Sequence, residues 1–294
     1  MLLDAIIIGG SYAGLSAALP LARARRRVLV IDAGLRRNRF SEHSHGFLGQ
    51  DGVPPGQIAA QGREQLLAYP TVEWKEGTVR TVSGEADGFI VALSDGSESR
   101  ARRLILATGV IDELPDIPGL AERWGKHVFH CPYCHGYELN EGRIGVLAGS
   151  QMSMHQALML PDWGRTTLFL NGSALDLEQQ AQLEARGVAV EEGAVAGLEG
   201  EGVTVAMQDG RAFPLAGLFV APRVRPCPVV VEMGCALEET PLGDIVKTDQ
   251  FKATSIPGVF ACGDMARAAG SVPLAVGDGA MAGTAVHRSL MFGL

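Results

Sequence analysis

The amino end of the chain combines an apolar strand, a glycine turn, a helix and a second strand. Residues 3–8 are apolar except for Asp4, and Gly9-Gly10-Ser11-Tyr12-Ala13-Gly14 follows directly. A second apolar strand over 28–31 ends in Asp32. Glycines in such a turn let the backbone approach a diphosphate at a helix N-terminus, and the acid binds a ribose hydroxyl. This order predicts a dinucleotide-binding fold, although Ser11 stands where the motif has its middle glycine.

Length and composition fit an enzyme of about two domains. The chain has 294 residues, of which 47% are hydrophobic and 20% charged. A net charge of -8 argues against a nucleic-acid partner, and no apolar run reaches membrane-spanning length. No targeting segment is recognisable, so a cytoplasmic location and no membrane partner are expected.

Two polar stretches follow the first motif. Arg36, Arg37 and Arg39 form either a solvated loop or a pocket for cofactor phosphates. The loop over 41–52 carries His43 and His45 among three glycines, which could line an active site near a cofactor. A surface loop is the alternative interpretation of these two histidines.

A pair of cysteines is the clearest chemical signal in the chain. Cys131 and Cys134 lie in the stretch H-C-P-Y-C-H-G-Y-E over 130–138. Two cysteines at this spacing can close a disulfide, and adjacent histidines can lower a thiol pKa and carry protons. Half of a zinc site is the alternative, but Cys227, Cys235 and Cys262 offer no second pair at zinc-ribbon spacing. We therefore predict a redox dithiol, no metal site and three buried structural thiols.

Further motifs give the chain a family resemblance. Ala107-Thr108-Gly109, Ile117-Pro118-Gly119 and Gly258-Val259-Phe260-Ala261-Cys262-Gly263-Asp264 flank the cysteine stretch. Together with the first glycine turn, they occur in the order seen in low-molecular-weight thioredoxin reductases, which the chain resembles over essentially its whole length. The resemblance implies an α/β fold of two Rossmann-like (three-layer ββα) nucleotide-binding domains, the second inserted in the first. It also implies a homodimer.

The resemblance assigns domains and residues to roles. An FAD-binding domain of residues 1–113 and 245–294 is expected, with 114–244 as a central NAD(P)-binding-like domain carrying the C-x-x-C. Cys134 would face the flavin, and Cys131 would exchange with the substrate. The residues expected to bind FAD are Gly9, Gly10, Ser11, Ala13, Gly14, Asp32, His45, Ala107, Thr108, Gly109, Gly263, Asp264 and Ala275.

The central domain departs from the family at its own glycine turn. A strand over 142–147 and a helix over 152–160 are predicted, but the turn between them has Ala148, Ser150 and Ser153 at the three motif positions. Each side chain takes space that a diphosphate needs near the backbone. The next strand ends in Asn171, with neither the ribose acid nor the paired arginines that the family uses for NADPH. NADPH binding is therefore doubtful, although a variant site using other contacts is an open alternative.

A second departure is His135, which stands where thioredoxin reductases usually have an acid. The C-P-Y-C-H-G form resembles a branch of FAD-dependent dithiol oxidases that close disulfides in small sulfur-containing metabolites and pass electrons to oxygen. A histidine with a pKa near neutrality could accept a proton from an attacking thiol and later deliver one. A helix-capping or structural imidazole is the alternative.

Three functions are compatible with these features. The first is an FAD-dependent dithiol oxidase in which Cys131, Cys134 and His135 are catalytic and O2 is the electron acceptor. The second is a disulfide reductase, of thioredoxin type, supplied by NAD(P)H or another donor. The third is a flavin-binding redox sensor without turnover. The substrate is expected to be a small dithiol or a thioredoxin-like protein.

Overall fold

A computed structural model describes residues 2–293, in which strands and helices are mixed along the chain. The strands are β1 (Leu2–Ile8), β2 (Val28–Asp32), β3 (Val72–Glu76), β4 (Val79–Ser83), β5 (Phe89–Leu93), β6 (Glu98–Leu106), β7 (Val110–Glu113), β8 (Val128–Phe129), β9 (Glu141–Leu147), β10 (Gly164–Phe169), β11 (Ala189–Glu191), β12 (Val195–Glu199), β13 (Val203–Met207), β14 (Ala212–Leu215), β15 (Gly217–Phe219), β16 (Arg223–Pro226), β17 (Leu237–Thr240), β18 (Gly243–Val246) and β19 (Val259–Ala261). The α-helices are α1 (Tyr12–Arg23), α2 (Pro55–Leu67), α3 (Pro132–His135), α4 (Gln151–Met159), α5 (Leu177–Ala185), α6 (Pro228–Glu232) and α7 (Val272–Phe292).

The chain divides into two compact units. The first unit contains the chain up to Arg39, Phe47–Ile111 and the chain from Val224 onward, and the second contains Phe40–Gly46 and Asp112–Arg223. The sequence predicts that the central domain ends at residue 244, whereas the chain from Val224 onward groups with the first unit. The short segment Phe40–Gly46 groups with the second unit although its neighbours in sequence belong to the first.

The first unit is built on a mainly parallel sheet. Its strand order is β3-β2-β1-β6-β5-β4, and β19 also pairs with β6. The strands β1, β2, β3, β6 and β19 pair in parallel, whereas β4 and β5 are antiparallel. Along β2 and the end of β6, alternate residues belong to different buried clusters, so both faces of the sheet are covered.

The second unit repeats this arrangement on a smaller scale. Its parallel sheet has the order β11-β10-β9-β15-β8, and β12-β13-β14 form an antiparallel sheet. Phe169 and Phe219 are fully buried in separate clusters within it. The two parallel sheets with helices between their strands confirm the predicted α/β class.

The helices α1 and α7 of the first unit approach each other very closely. A Cβ atom added at Gly279 would meet the carbonyl oxygen of Ala13, and one at Gly283 would meet that of Ala17. Ser16 Oγ donates a hydrogen bond to the Val276 carbonyl oxygen at 2.6 Å. The small residues of 277–283 predict a helix face that packs closely on a cofactor or on the sheet, but Gly279 and Gly283 pack on α1.

Several elements differ from what their local sequence predicts. The pattern of 72–82 predicts one strand, but the stretch is split between β3 and β4 at Gly77, where φ is +158° and a Cβ would lie 2.9 Å from Leu93. The prolines of 223–228 predict a loop, but the region contains β16 and begins α6. The stretch 272–286 predicts a loop followed by a helix, but α7 begins at Val272, because Pro273 is acceptable in a first helical turn. Among residues 2–293, no helix has both the length and the apolar character needed to span a membrane.

We expect Gly279→Ala to destabilise the protein by about 1–3 kcal/mol, because its Cβ would press on the Ala13 backbone and separate α1 from α7. Gly277→Ala is the matched control, since a Cβ at Gly277 meets nothing within 4 Å. The control should be neutral or slightly stabilising because alanine favours helix over glycine. Urea unfolding of both variants measures the difference, and equal stabilities would contradict this account of the helix contact.

Candidate active site

The two cysteines of the C-x-x-C are joined at the N-terminus of a short helix. Cys131 and Cys134 form a disulfide, with their Cα atoms 5.3 Å apart. Pro132 occupies the first turn of α3, where its fixed φ favours the helix and its missing N–H costs nothing. The Cys134 N–H donates to the Cys131 carbonyl oxygen at 3.2 Å. Since β8 ends at Phe129, the disulfide follows the carboxyl end of a parallel strand.

Aromatic rings surround this helix. Trp163 packs against Gly136, where an added Cβ would lie 2.7 Å from the indole ring, and it meets Tyr133 edge-on at 5.4 Å. Tyr133 and Tyr137 are 73% and 84% exposed. The disulfide therefore lies beside an aromatic surface within the second unit.

His135 is half-buried at the end of α3. Its ring stacks on Phe129 with centroids 4.3 Å apart, and its Nε2 lies 3.4 Å from Ser41 Oγ. Burial lowers the pKa of His135 from 6.5 to about 4, while the carboxylate of Glu138 acts in the opposite direction. The expected pKa near neutrality was therefore wrong, because the sequence does not show how deeply the ring is buried. With the disulfide closed, His135 is a neutral imidazole at pH 7 and can accept a proton.

His45 lies in the same unit as the disulfide. Its Nε2 is 3.4 Å from Glu138 Oε1, and its ring centroid is 6.4 Å from that of His43. Ser41, His45 and Glu138 thus gather around the cysteine stretch. Sequence reasoning had placed His45 with FAD and had not singled out Ser41 or Glu138. The role of His45 at FAD stays a prediction.

In the first unit, the glycine turn is shaped by close backbone contacts. A Cβ at Gly9 would meet the carbonyl oxygen of Ala107, and one at Gly14 would meet that of Gly9. The Gly10 N–H donates to Asp32 Oδ1 at 3.1 Å. These contacts bring Gly9, Gly10, Gly14, Asp32 and Ala107 together at the carboxyl end of the sheet.

Ser11 is accommodated because its backbone is extended, with φ −87°. It is the N-cap of α1, but its side chain makes no capping hydrogen bond, and the first turn of α1 contains no acid. Ala13 follows in that turn. The N–H groups and positive dipole end of α1 therefore suit an anion, so this turn fits the diphosphate of FAD.

The remaining predicted FAD residues surround the same helix end. Gly263, at φ +76°, packs so tightly that an added Cβ would lie 2.8 Å from Ala13 Cβ and 4.0 Å from Ala275 Cβ. Thr108 Oγ1 donates to Met265 Sδ at 3.5 Å. Gly109, at φ +66°, would have open space around an added Cβ. Gly263 therefore lies directly against α1, whereas the side-chain face of Gly109 is open.

Two aspartates at the Gly263 turn, Asp264 and Asp278, form ion pairs. Arg37 Nη1 donates to Asp264 Oδ2 at 2.8 Å, which places one arginine of the early basic cluster beside a predicted FAD residue. Asp278, which sequence reasoning missed, is almost completely buried on α7 and accepts from the Gly263 N–H at 3.2 Å. Its other oxygen lies 2.8 Å from both Lys252 Nζ and Arg267 Nη1. This network fixes the Gly263 turn on α7.

The three other cysteines lie in the first unit. Cys235 and Cys262 are buried, and burial raises the pKa of each thiol, as expected of structural residues. Cys227 is only half-buried, with its Sγ 3.9 Å from the Thr108 carbonyl oxygen. The prediction of a buried thiol therefore holds for Cys235 and Cys262 but not fully for Cys227.

At the corresponding turn of the second unit, polar side chains form hydrogen bonds with the backbone. The Ser150 N–H donates to Ser153 Oγ at 3.3 Å, and Ser153 is only 2% exposed. The Ala148 N–H is bonded to the Phe169 carbonyl oxygen. Asn171 has φ +48°, and its Oδ1 accepts from the Val195 N–H at 2.9 Å. Side chains at the motif positions thus stabilise the turn itself.

A model of the pyridine nucleotide-disulphide oxidoreductase family matches residues 3–279. The chain belongs to this family. It is therefore an oxidoreductase of the thioredoxin reductase-like group, and FAD binding is implied by the family.

Individual relatives agree with this assignment. Thioredoxin reductase tcpT of Claviceps purpurea (strain 20.1) is 35% identical and matches 99% of this chain and 95% of its own length. Thioredoxin reductase sirT of Leptosphaeria maculans is 32% identical, covering 97% and 93%. A crystal structure of an oxidoreductase from Agrobacterium tumefaciens is 57% identical, with a TM-score of 0.97 and complete coverage of both chains.

We expect the half-buried imidazole of His135 to make the disulfide form less stable in acid. A depressed folded-state pKa contributes stability that is complete above pH 6.5 and is lost as the pH falls toward 4. The free energy of unfolding should therefore drop by about 2 kcal/mol more between pH 7 and pH 5 in the parent protein than in His135→Gln. Denaturant titrations at the two pH values measure this, and parallel losses in both proteins would contradict the assigned pKa.

Proposed function

We propose that this protein is an FAD-dependent dithiol oxidase that uses the Cys131–Cys134 disulfide and passes electrons to O2. Its substrate would be a small dithiol, which leaves as a disulfide. The proposal rests on the family, on the disulfide and its neighbouring neutral imidazole, and on the second unit's nucleotide turn.

The observation that carries the proposal is the hydrogen-bonded turn before α4 in the second unit. A dinucleotide site needs free N–H groups at a helix N-terminus and backbone that a diphosphate can approach. At α4, the buried Ser153 already accepts from the Ser150 N–H, and Asn171 is engaged by the Val195 N–H. The residues present do not fit NADPH in the manner of the family motif. Electrons would then enter through the dithiol itself.

The cysteines and His135 would act in sequence. A substrate thiol gives its proton to His135, and the resulting thiolate attacks Cys131 Sγ, forming a mixed disulfide and releasing Cys134 as a thiolate. The second substrate thiol then attacks the mixed disulfide, so that the substrate disulfide closes and the protein dithiol is left reduced. Thiolates formed near His135 raise its pKa and favour its protonation at this stage.

Bound FAD would supply the remaining chemistry by taking two electrons from the reduced dithiol and passing them to O2, which leaves as hydrogen peroxide. The residues that we propose to hold FAD belong to the first unit, with His45 as an additional predicted contact. They are Gly9, Gly10, Ser11, Ala13, Gly14, Asp32, Ala107, Thr108, Gly109, Gly263, Asp264 and Ala275.

A disulfide reductase of thioredoxin type is the second candidate. It is favoured by the names of tcpT and sirT, both called thioredoxin reductases, which match nearly the whole chain. Its electrons would come from NAD(P)H bound through contacts outside the motif, or from another donor. The two candidates use the same cysteines but predict opposite directions of electron flow.

Anaerobic titration of the FAD-loaded protein distinguishes them. We expect dithiothreitol to bleach the flavin absorbance, NADPH and NADH to leave it unchanged, and air to restore it with one hydrogen peroxide formed per dithiol oxidised. Cys134→Ser should lose bleaching by dithiothreitol, whereas Cys227→Ser, a half-buried cysteine outside the disulfide, should behave like the parent. Rapid bleaching by NADPH would overturn the oxidase proposal and favour the reductase.

A further inference from the structure

Helix α4 contacts the cysteine stretch at the residue just before the disulfide. Gln156 Nε2 donates a hydrogen bond to the His130 carbonyl oxygen at 2.8 Å, although the two residues are 26 apart in sequence. Gln156 is only 5% exposed. The bond therefore holds the backbone before Cys131 from within the buried part of the second unit.

The amide of Gln156 has one orientation that is compatible with this contact. A carbonyl oxygen only accepts hydrogen bonds, so the group facing His130 is the NH2 donor. The other amide atom, Oε1, is buried and has no hydrogen-bond partner among the described residues. The Gln156 side chain thus makes one directional contact, and substituting the residue tests that contact alone.

The chain that leaves α4 contacts the other end of the cysteine stretch. One turn of 3₁₀-helix, Leu160–Asp162, leads to Trp163, whose indole packs on Gly136. A Cβ at Gly136 would lie 2.7 Å from that ring and equally close to the Pro132 carbonyl oxygen. Gly136 is therefore enclosed between Trp163 and α3.

Both contacts start from a firmly packed part of the second unit. Ala157 and Leu160 are fully buried in the same cluster as Phe129, the last residue of β8. Arg186, which follows α5, donates from Nε to the Leu158 carbonyl oxygen at 2.9 Å. The end of α4 is thus fixed independently of the cysteines, and its two contacts restrain the disulfide turn from both sides.

We propose that Gln156 is a positioning residue that, together with Trp163, keeps Cys131 and Cys134 at disulfide-forming distance when they are reduced. A disulfide and a hydrogen bond that restrain the same short turn reinforce each other, because each lowers the entropy lost in forming the other. The contact therefore stabilises the disulfide relative to the dithiol. The inference rests on the proposed redox role of the disulfide, which the oxidase and the reductase share, and not on the direction of electron flow.

The stability of the disulfide is the readout, since a merely structural role of Gln156 would leave it unchanged. The holoenzyme is equilibrated without air in mixtures of reduced and oxidised dithiothreitol, and its new thiols are counted by alkylation and mass spectrometry. Each dithiothreitol that closes its own disulfide leaves Cys131 and Cys134 as thiols. Gln156→Met keeps the side-chain length but cannot donate. We expect its disulfide to be reduced with an equilibrium constant about fivefold larger, as for the loss of one hydrogen bond.

Gln151→Met is the matched control, because it makes the same change on the same helix at an exposed glutamine. Gln151 has no described hydrogen bond to the cysteine stretch, so the equilibrium constant should stay at the parent value. Equal constants in Gln156→Met and Gln151→Met would overturn the proposal.

Hydrogen exchange of the parent protein tests the same inference without a variant. The Cys134 and Gly136 N–H groups donate within the turn, to the carbonyl oxygens of Cys131 and Pro132. We expect peptides that span 131–139 to keep their protection after reduction by dithiothreitol, and loss of that protection would contradict the positioning role. If dithiothreitol reduces the disulfide but does not bleach the flavin, the oxidase proposal fails while thiol counts and exchange still decide the role of Gln156.

Discussion

Close approach of backbone to backbone around α1 is the constraint on which the first unit depends. Gly9 and Gly14 bring the ends of β1, β6 and α1 together, and Gly279 and Gly283 bring α7 against the same helix. A side chain at any of these positions would push one layer away from another. The open N-terminus of α1 and the turn at Gly263 therefore share one rigid framework, and the site that fits FAD is a consequence of how the layers pack.

The second unit has the same strand–turn–helix plan but a different solution at the turn. In the first unit the turn depends on glycines, whereas in the second unit polar side chains determine the local structure. Ser153 accepts from the Ser150 N–H, and Asn171 accepts from the Val195 N–H. One fold thus carries an open helix terminus in one unit and an internally capped one in the other. The chemically distinctive residues of the second unit lie instead after β8, where Cys131, Cys134 and His135 follow one another in a single turn of helix.

Much of this architecture could be predicted from local patterns. The strands β13 and β19 are short apolar or alternating runs with clear turn signals beside them, so that the sequence pattern alone gives their bounds, 203–207 and 259–261, to the residue. Elements interrupted by glycine or proline were harder, as at Gly77 and in β16, since the effect of such a residue depends on the strand beside it. The family motifs indicated the cysteines and the glycine turn correctly as features of one enzyme.

The site could be predicted only where its residues are close in sequence. Ser41 and His135 are 94 residues apart, and nothing in the composition of the loop over 41–52 indicates that its first part, up to Gly46, groups with the second unit. The charge state of His135 depends on its burial against Phe129, which is a property of tertiary packing. Asp278 resembled an ordinary polar residue of a helix until its three partners were known.

The turn of the second unit also has a consequence for stability. Ser153 accepts from the Ser150 N–H and thereby caps the helix at whose N-terminus a nucleotide would bind. Replacing it by glycine would remove the cap and add the conformational cost of glycine in a helix, about 1 kcal/mol for each effect, before any nucleotide could bind in return. A variant with a glycine-rich turn would therefore be less stable than the present protein unless a bound nucleotide or another substitution offset the loss.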